Sequence, residues 1–415
     1  MRKNINKLVA VAIGVSVMSG SIIPAFAADT TTQNTSTTTN VQAQTIGKQV
    51  LTLDDAITAA INNSNKVALQ IKKINLEDDK LDVQDDIDDD GYLYDNQELT
   101  VKQEKENKDF LEDQIAQDIT NEYNDIVTKG KELNKLKKEI EIKNKEIKDT
   151  ELKKKLGLVT SIDMKNAEIE LQTLNNSEKD KENKLKNSQD YFKVLTDKDL
   201  NNCTLEQDVK YEVFRIDGSV DEYLENVIEK YCEYDKESSD LLKDYIKDIK
   251  EDFDYNEIKK APQISDFNDE VVTTMAGDKI TIKTAKEQYD KAYDNYNKGI
   301  TGYKTYLETK YNSSVKSISL EEKKKNYKQI LNQSYANLLD LENSINVMKS
   351  NIEVNNKQLS IAKLKYDMGL MTKTEYDKQA LASEDLETSL RTLIENYNKL
   401  KNNIQKPWII NSTNN

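Results

Sequence analysis

The chain contains no histidine, and its 415 residues include only 11 glycines, 3 prolines and 2 cysteines. The lack of histidine excludes the commonest general base, the Ser-His and Cys-His nucleophile pairs, and His-ligated metals. No glycine-rich phosphate loop is present either. Carboxylate pairs could still catalyse, but 75 acidic residues make any chosen pair uninformative. We therefore predict that the protein is not an enzyme, and the sequence identifies no small-molecule substrate and no organic cofactor.

Few glycines and prolines also leave few places where the chain can turn, which favours long uninterrupted helices. Only 36% of the residues are apolar, too few to fill a compact globule of this length. The 60 basic and 75 acidic residues are interspersed and give a net charge of −15, which argues against nucleic acid as a partner. Beyond the N-terminal segment, no stretch approaches the roughly 20 apolar residues of a transmembrane helix. The composition therefore predicts long, thin helices with solvated faces.

The N-terminus has the pattern of a secretory signal peptide. Three positive charges within the first seven residues precede an apolar run over 8–23, and Ala25 and Ala27 offer small side chains for cleavage. We predict a signal peptide over 1–27 rather than a retained membrane anchor, because the run is short for a bilayer span. The segment 28–48 is almost entirely Thr, Gln, Asn and Ser, which predicts a disordered leader. We therefore expect an exported protein of the cell envelope or cell surface.

Apolar side chains recur at heptad spacing along two parts of the chain. One series precedes Gly157 and resumes after it, and the other does the same around Gly369. A sustained period of about 3.5 residues per turn makes a helix supercoil against a partner helix. Each half of the chain therefore predicts an antiparallel pair of long helices, a helical hairpin. The series are Ile119, Ile126, Leu133, Ile140 and Ile147, then Ala167, Leu171, Leu174, Leu185, Phe192 and Leu195; and Leu331, Leu338, Ile345, Ile352, Leu359 and Tyr366, then Leu386, Leu390, Leu393, Tyr397, Leu400 and Ile404.

The same turn closes both hairpins. Gly157-Leu158-Val159-Thr160 aligns with Gly369-Leu370-Met371-Thr372, and an acidic residue follows each threonine three positions later. Glycine can adopt the left-handed conformation that ends a helix, and the Thr and acid together predict a capping box. Repeated apolar residues at exposed tips predict a partner-docking surface, with the glycines setting the backbone shape. The alternative is that these residues only cap and close each hairpin.

The openings of the two halves also match, since Leu53-Asp54-Asp55-Ala56-Ile57 resembles Val220-Asp221-Glu222-Tyr223-Leu224. We predict an all-α fold: two tandem repeats of long antiparallel coiled-coil helical hairpins, with little or no β-barrel. The second repeat carries an insertion near 255–300, where Lys279–Lys283 gives one short alternating strand. The predicted boundaries are 49–200 for helical repeat 1, 201–219 for a connector, 220–405 for helical repeat 2 and 406–415 for a tail.

The segment 86–97 resembles a calcium-binding loop of the EF-hand type. Gly91 stands at position six, where such loops turn sharply. Position twelve is Gln97 instead of the bidentate Glu, so we expect weak calcium binding at most. A solvated acidic turn is the alternative, because such turns are common in a chain this acidic. The ligands at positions one, three, five and seven would be Asp86, Asp88, Asp90 and Tyr92.

The two cysteines, Cys203 and Cys232, flank the junction between the halves. Outside the cytoplasm such a pair can form a disulfide. Two separate thiols are equally compatible with the sequence, since it does not place the sulfur atoms within bonding distance.

These features together resemble the TolC-like outer-membrane efflux family over roughly residues 49–405. The segment 51–57, Leu-Thr-Leu-Asp-Asp-Ala-Ile, is similar to the family's opening Leu-x-Leu-x-x-Ala, and the paired Gly-Leu-x-Thr turns are similar to those of its two repeats. The resemblance implies a trimer whose long helices form a tube, with the interhelical turns facing an adaptor protein and an inner-membrane pump. The sequence departs from the family between its first two helical arms, where 86–97 is too short for two outer-membrane strands.

We therefore predict an exported helical conduit or docking component of an efflux or secretion assembly. The expected partners are further copies of the chain, an adaptor protein and a membrane pump. The alternative is an envelope-associated coiled-coil scaffold that does not transport. Heptad helices are equally compatible with a conduit and with a scaffold, whereas an oligomeric tube would favour the conduit.

Overall fold

The computed structural model describes residues 49–250, 253 and 255–414, most of which are helical. The predicted signal peptide, 1–27, and leader, 28–48, lie outside the described residues. The helices are α1 (Leu53–Asn63), α2 (Asn65–Ile87), α3 (Tyr92–Lys155), α4 (Ser161–Thr196), α5 (Val220–Tyr231), α6 (Glu233–Lys250), α7 (Tyr255–Ile258), α8 (Ala285–Asp367) and α9 (Lys373–Gln405). The strands are β1 (Gln49–Leu51), β2 (Cys203–Leu205), β3 (Glu270–Thr273) and β4 (Lys279–Ile282), and short 3₁₀ turns cover Ile264–Asp266 and Pro407–Asn414.

The predicted all-α fold is confirmed, with one correction in the insertion. The sequence predicts one strand at Lys279–Lys283, whereas the structure pairs two antiparallel strands there, with Val272 opposite Ile280. Strands β1 and β2 also pair, in parallel, with Val50 opposite Thr204. The alternating pattern found β4 but missed the other three strands, because strands of three or four residues are too short to show a clear period of two.

The described residues fall into two compact units, each assembled from separated stretches of chain. We call them the hairpin unit (49–76, 103–231 and 324–414) and the insertion unit (77–102 and the described part of 232–323). Cys203 belongs to the hairpin unit and Cys232 to the insertion unit, and they are two thiols rather than a disulfide. The proposed repeat boundaries stay a prediction, because the compact units are defined by packing and not by repetition.

The core of the hairpin unit lies where α1, α3 and α4 meet the β1–β2 pair. Ala56 and Phe192 are fully buried there, and Tyr123 packs edge-on against Phe192 with ring centroids 6.3 Å apart. The Tyr123 hydroxyl donates to the Leu51 carbonyl at 2.7 Å and accepts from the Glu206 amide at 2.7 Å. One side chain on α3 therefore binds both strands where the parallel β1–β2 pair ends.

The heptad side chains form the buried seams of the hairpin unit, but burial decreases toward the turns. On α8, Leu331, Leu338 and Ile345 are fully buried, whereas Ile352 and Tyr366, nearer the turn, are only half-buried. The same gradient occurs on α3, from Ile119 and Ile126 down to Ile140 and Ile147. The large heptad side chains of α3 and α8 are therefore least buried near the turns, although the smaller Ala362 is buried there.

The insertion unit has a separate small core. Leu242, Tyr245, Ile246 and Ile249 of α6 pack with Tyr306 of α8, and Tyr92 stacks on Tyr245 at 4.2 Å. Every residue of the β3–β4 pair is exposed. No described helix, in this unit or the other, combines the length and apolarity needed to cross a membrane.

We expect Tyr123→Phe to lower the free energy of unfolding by about 1 kcal/mol, because the Leu51 carbonyl and the Glu206 amide lose their shared partner and keep only their own hydrogen bond of 3.4 Å. Urea unfolding followed by circular dichroism measures the loss. Tyr191→Phe is the matched control, since that ring is exposed and its hydroxyl supports no core contact. Equal stabilities of the two variants would contradict the bridging role of Tyr123.

Candidate functional site: the two hairpin turns

The turn between α3 and α4 is a Schellman turn. The Gly157 amide donates to the Lys154 carbonyl at 3.0 Å, and the Leu158 amide donates to the Lys153 carbonyl at 2.9 Å. Gly157 has a φ of +73°, the left-handed conformation that this turn requires and that residues with a Cβ rarely adopt. The last carbonyls of α3 are thus satisfied within the turn itself.

The turn between α8 and α9 repeats this geometry position by position. The Gly369 amide donates to the Tyr366 carbonyl at 2.9 Å, the Leu370 amide donates to the Lys365 carbonyl at 2.8 Å, and Gly369 has a φ of +72°. The sequence correspondence between Gly157–Thr160 and Gly369–Thr372 is therefore also a correspondence of backbone shape.

Both predicted capping boxes are present. Thr160 donates through its amide and its hydroxyl to the Asp163 carboxylate, at 2.7 Å in each case, and the Asp163 amide donates back to the Thr160 hydroxyl at 3.2 Å. Thr372 and Glu375 form the same set of hydrogen bonds. Hydrogen bonds from the Thr160 hydroxyl and amide lower the pKa of Asp163, and those from the Thr372 amide and hydroxyl lower the pKa of Glu375. Each turn therefore satisfies its own backbone at both helix ends.

The apolar side chains of the turns point into solvent. Leu158 is 70% exposed and Leu370 is 73% exposed, and both follow the glycine directly. A Schellman turn frequently packs this residue against the residue five or six positions earlier. Those residues are Lys153 and Leu152 in the first turn and Lys365 and Leu364 in the second, and the two leucines are themselves more than half exposed. Val159 and Met371, the next residues, are half-buried. Two leucines are thus held on fixed backbone with most of their side chains in solvent.

An ionic ladder joins the two hairpins just behind the turns. Lys145 of α3 pairs with Asp377 of α9 at 3.2 Å, and Lys138 pairs with Glu384 at 2.5 Å. The contacts place α3 and α9 side by side and antiparallel. Burial raises the pKa of Asp377, but hydrogen bonds from Lys373 and Lys145 outweigh it and hold that pKa below its ordinary value. Two further rungs of the ladder are Lys135 with Asp385 and Lys378 with Glu146.

A groove beneath this ladder contains residues that the heptad analysis missed. Ile142 of α3 and Leu381 of α9 are buried there, although neither belongs to a predicted heptad series. The groove has a volume of about 590 Å³ and is also lined by Ile169 and Leu174 of α4. Ile142 lies two positions after the heptad residue Ile140 and faces the other hairpin. The one signal of this α3–α9 contact in the sequence is that Ile142 is apolar although it lies outside the heptad series of α3.

Helix α8 carries a second, exposed apolar stripe. Val347, Val354, Ile361 and Met368 are seven residues apart and each follows a residue of the buried seam by two positions. All four are more than half exposed. A heptad stripe is the pattern of a helix–helix seam, so within the hairpin unit α8 has one seam that is covered and one that is open.

The acidic segment at 86–97 differs from the loop that the sequence pattern describes. Helix α2 ends at Ile87 and α3 begins at Tyr92, so Asp86 and Tyr92 lie in helices and the loop is 88–91, with Gly91 at a φ of +90°. Among the described residues, no three acidic or thiol side chains converge closely enough to hold a metal ion. Weak calcium binding at Asp86, Asp88, Asp90 and Tyr92 stays a prediction.

Solved structures of other proteins have a fold similar to that of this chain. The channel CusC, whose structures concern folding and transmembrane channel formation, is similar over 86% of this chain and 91% of its own, with 9% identity and a TM-score of 0.56. A membrane protein from Pseudomonas aeruginosa is similar over 86% and 90%, with 9% identity and a TM-score of 0.54. The chain has the TolC-like fold. The resemblance expected from the sequence is therefore confirmed at the level of the fold.

Three further comparisons limit this likeness to the fold. The Campylobacter jejuni CmeC outer membrane channel covers 86% of this chain and 85% of its own with 13% identity, but its TM-score of 0.45 carries no weight here. No sequence-family profile matches the chain, and no curated protein matches it either. The likeness is thus one of architecture at very low sequence identity.

We expect the turns to loosen on acidification. The lowered pKa values of Asp163 and Glu375 mean that their capping stabilises the fold above the ordinary values of 3.8 and 4.5 and is lost as the pH falls through the folded-state values. Thr160→Ala and Thr372→Ala should each lower the free energy of unfolding by about 1 kcal/mol at neutral pH and should reduce this acid sensitivity. Thermal unfolding between about pH 6 and pH 2 measures both effects.

The control for this experiment is Thr173→Ala. Thr173 lies within α4, and its hydroxyl donates to the Ile169 carbonyl without capping a helix end. Alanine is the better helix former at such a site, so stability should stay level or rise. Identical pH profiles for the wild type and the Thr160→Ala/Thr372→Ala variant would show that the caps do not respond to acid.

Proposed function

We propose that the protein is an exported, oligomeric helical conduit or docking component of an efflux or secretion assembly. Its two turns would meet an adaptor protein that works with a membrane pump. The observation that carries this proposal is the turn built twice, with Leu158 and Leu370 at the same backbone position and mostly exposed. No specific observation favours the non-transporting scaffold.

The turns offer more than chain reversal. Reversal and helix capping are complete in the backbone, the glycines and the Thr–acid pairs, none of which needs an apolar side chain after the glycine. A single exposed leucine is ordinary on any surface. Two leucines on superimposable turns of one unit are the kind of repeated, rigid contact that a partner protein can recognise.

Self-association is supported by the open seam on α8. Val347, Val354 and Ile361 repeat the spacing of the buried seam, and Ile162 and Ile169 of α4 are exposed at the same interval. Both α8 and α4 thus offer heptad-spaced apolar residues within the hairpin unit. We propose that other copies of the chain cover these residues, with three copies as the number implied by the family resemblance.

The fold supports the role of a conduit and a place in the cell envelope. The similarity to CusC covers nearly all of the described chain, and CusC is a protein that forms a transmembrane channel. We carry channel formation to this chain as a proposal, together with the envelope location that the signal peptide predicts. Nothing in this proposal assigns an exported substrate.

We expect Leu158→Asp combined with Leu370→Asp to abolish partner docking while leaving the fold intact. Both side chains are exposed, so the free energy of unfolding should change by no more than about 0.5 kcal/mol for each. The measurement is crosslinking of the exported chain in its native cells, followed by identification of the captured envelope proteins and by an export assay for small dyes.

The matched control is Leu69→Asp, because Leu69 is an equally exposed leucine on α2 of the hairpin unit, far from the turns in sequence. Capture and export should be unaffected by this change. Retention of both activities in the turn variant, or loss of its helicity, would reduce the turns to a purely structural role.

We expect the triple variant Val347→Asp, Val354→Asp and Ile361→Asp to be monomeric where the wild type is oligomeric. Three like charges along one seam oppose helix association, whereas they leave the buried series on α8 untouched. Multi-angle light scattering of residues 28–415 gives the mass directly. Leu69→Asp, Tyr191→Asp and Val213→Asp form a control of equal charge on other exposed apolar residues. A monomeric wild type would remove the oligomer from the proposal.

A further inference from the structure

The helix end before the first turn is basic, although the chain as a whole is acidic. Lys153, Lys154 and Lys155 form the last residues of α3, and no acidic residue occurs between Leu152 and Ile162. All three lysines are exposed, and none has a carboxylate within ion-pair distance among the described residues. On a chain with a net charge of −15, this turn is a local concentration of positive charge.

The second turn is not basic as a whole, but it also has one lysine without a carboxylate partner. Lys365 is exposed and also has no ion-pair partner within the described part of the chain. Its neighbours differ, since Lys363 pairs with Asp367 and Lys373 pairs with Asp377. The acid of this turn, Glu375, is occupied by its capping box. Lys365 is therefore the cation of this turn whose charge is left for another molecule.

The two turns place a lysine at the same point. Lys153 and Lys365 each lie five residues before the exposed leucine, and their carbonyls accept the Leu158 and Leu370 amides. Each turn therefore presents one exposed leucine and at least one unpaired lysine, on backbone of the same shape. The first turn has three such lysines, and the second has Lys365.

Helix ends offer an alternative account of these lysines. Cations in the last turn of a helix offset the partial negative charge of its carbonyls, which stabilises the helix by a few tenths of a kcal/mol. This account is satisfied by a lysine at any last-turn position, so it does not require Lys153 and Lys365 to correspond. It also predicts an effect on stability alone, whereas a binding role predicts an effect on partner capture.

We propose that the surface meeting the turns belongs to an acidic protein: apolar pockets for Leu158 and Leu370, rimmed by Asp or Glu carboxylates that pair with the lysines. This inference rests on the proposed function, because it names the chemistry of the docking partner. Complementary charge steers such an encounter and disfavours wrong partners. A protein fits better than an anionic lipid surface, because fluid lipid headgroups do not recognise a fixed backbone shape and the two turns have the same one.

The test uses the full-length exported chain in its native cells, with a photo-crosslinking phenylalanine derivative in place of Leu156, which is exposed at the first turn. The tip variant carries Lys153→Gln, Lys154→Gln, Lys155→Gln and Lys365→Gln. The control variant carries Lys72→Gln, Lys179→Gln, Lys186→Gln and Lys230→Gln, which removes the same charge from exposed lysines elsewhere in the hairpin unit. The crosslinked peptide is sequenced by mass spectrometry.

We expect the tip variant to lose about tenfold in crosslinking yield and the control variant to match the wild type. The crosslinked peptide should contain apolar residues flanked by Asp or Glu. Replacing the four tip lysines by Glu should abolish crosslinking, and replacing the mapped carboxylates by Lys should restore it. Far-UV circular dichroism should show the same helicity in all variants.

Three outcomes would overturn the inference. They are an equal yield from the tip variant and the wild type, a crosslinked segment without carboxylates, and lysine-dependent sedimentation with phosphatidylglycerol vesicles in place of a protein crosslink. The variant Leu158→Asp with Leu370→Asp tests the docking function separately from the acidic character of the partner. If this pair abolishes crosslinking while the lysine changes do not, only the acidic partner is wrong. If neither change matters, the docking function is wrong as well.

Discussion

The structure of the hairpin unit depends on a narrow apolar seam. Heptad spacing gives each long helix one apolar stripe, and a helix with a single stripe can bury it only against a parallel or antiparallel partner. Leu331, Leu338 and Ile345 show the result, since all three are fully buried along one line of α8. With so little apolar material the chain builds length rather than a thick core, and every other feature of the unit is arranged along that seam.

Because the seams loosen toward the turns, the turns need local stabilisation. Schellman hydrogen bonds close α3 and α8, and capping boxes open α4 and α9. The ladder of ion pairs between α3 and α9 adds little stability, since exposed pairs contribute at most about 1 kcal/mol each. Its effect is to fix the register between the hairpins, which keeps the two turns in a constant relation. Backbone groups are thus satisfied internally, and the side chains of Leu158 and Leu370 remain available for binding.

Exposure distinguishes the surfaces with a proposed function from those that only hold the fold. The buried seam on α8 and the exposed stripe two positions later have the same period, and one sequence pattern cannot say which is covered. The turns also contain both kinds of residue. Their glycines and threonines stabilise the backbone, whereas the leucines between them do not and are available for binding. Lys153 and Lys365 add charge at this place, where a partner would recognise it together with the leucine.

The sequence by itself determined the helical fold, both turns and their caps, because the residues that encode them lie within about ten positions of one another. Gly157 with Thr160 and Asp163 is such a local code, and so is each heptad series. Only the tertiary structure decided that α3 pairs with α9, that Ile142 is buried outside its heptad, and that β1 pairs with β2. These contacts join residues far apart in the chain, so their energies depend on which surfaces meet. The spacing of residues along the chain does not specify which helices and strands pair.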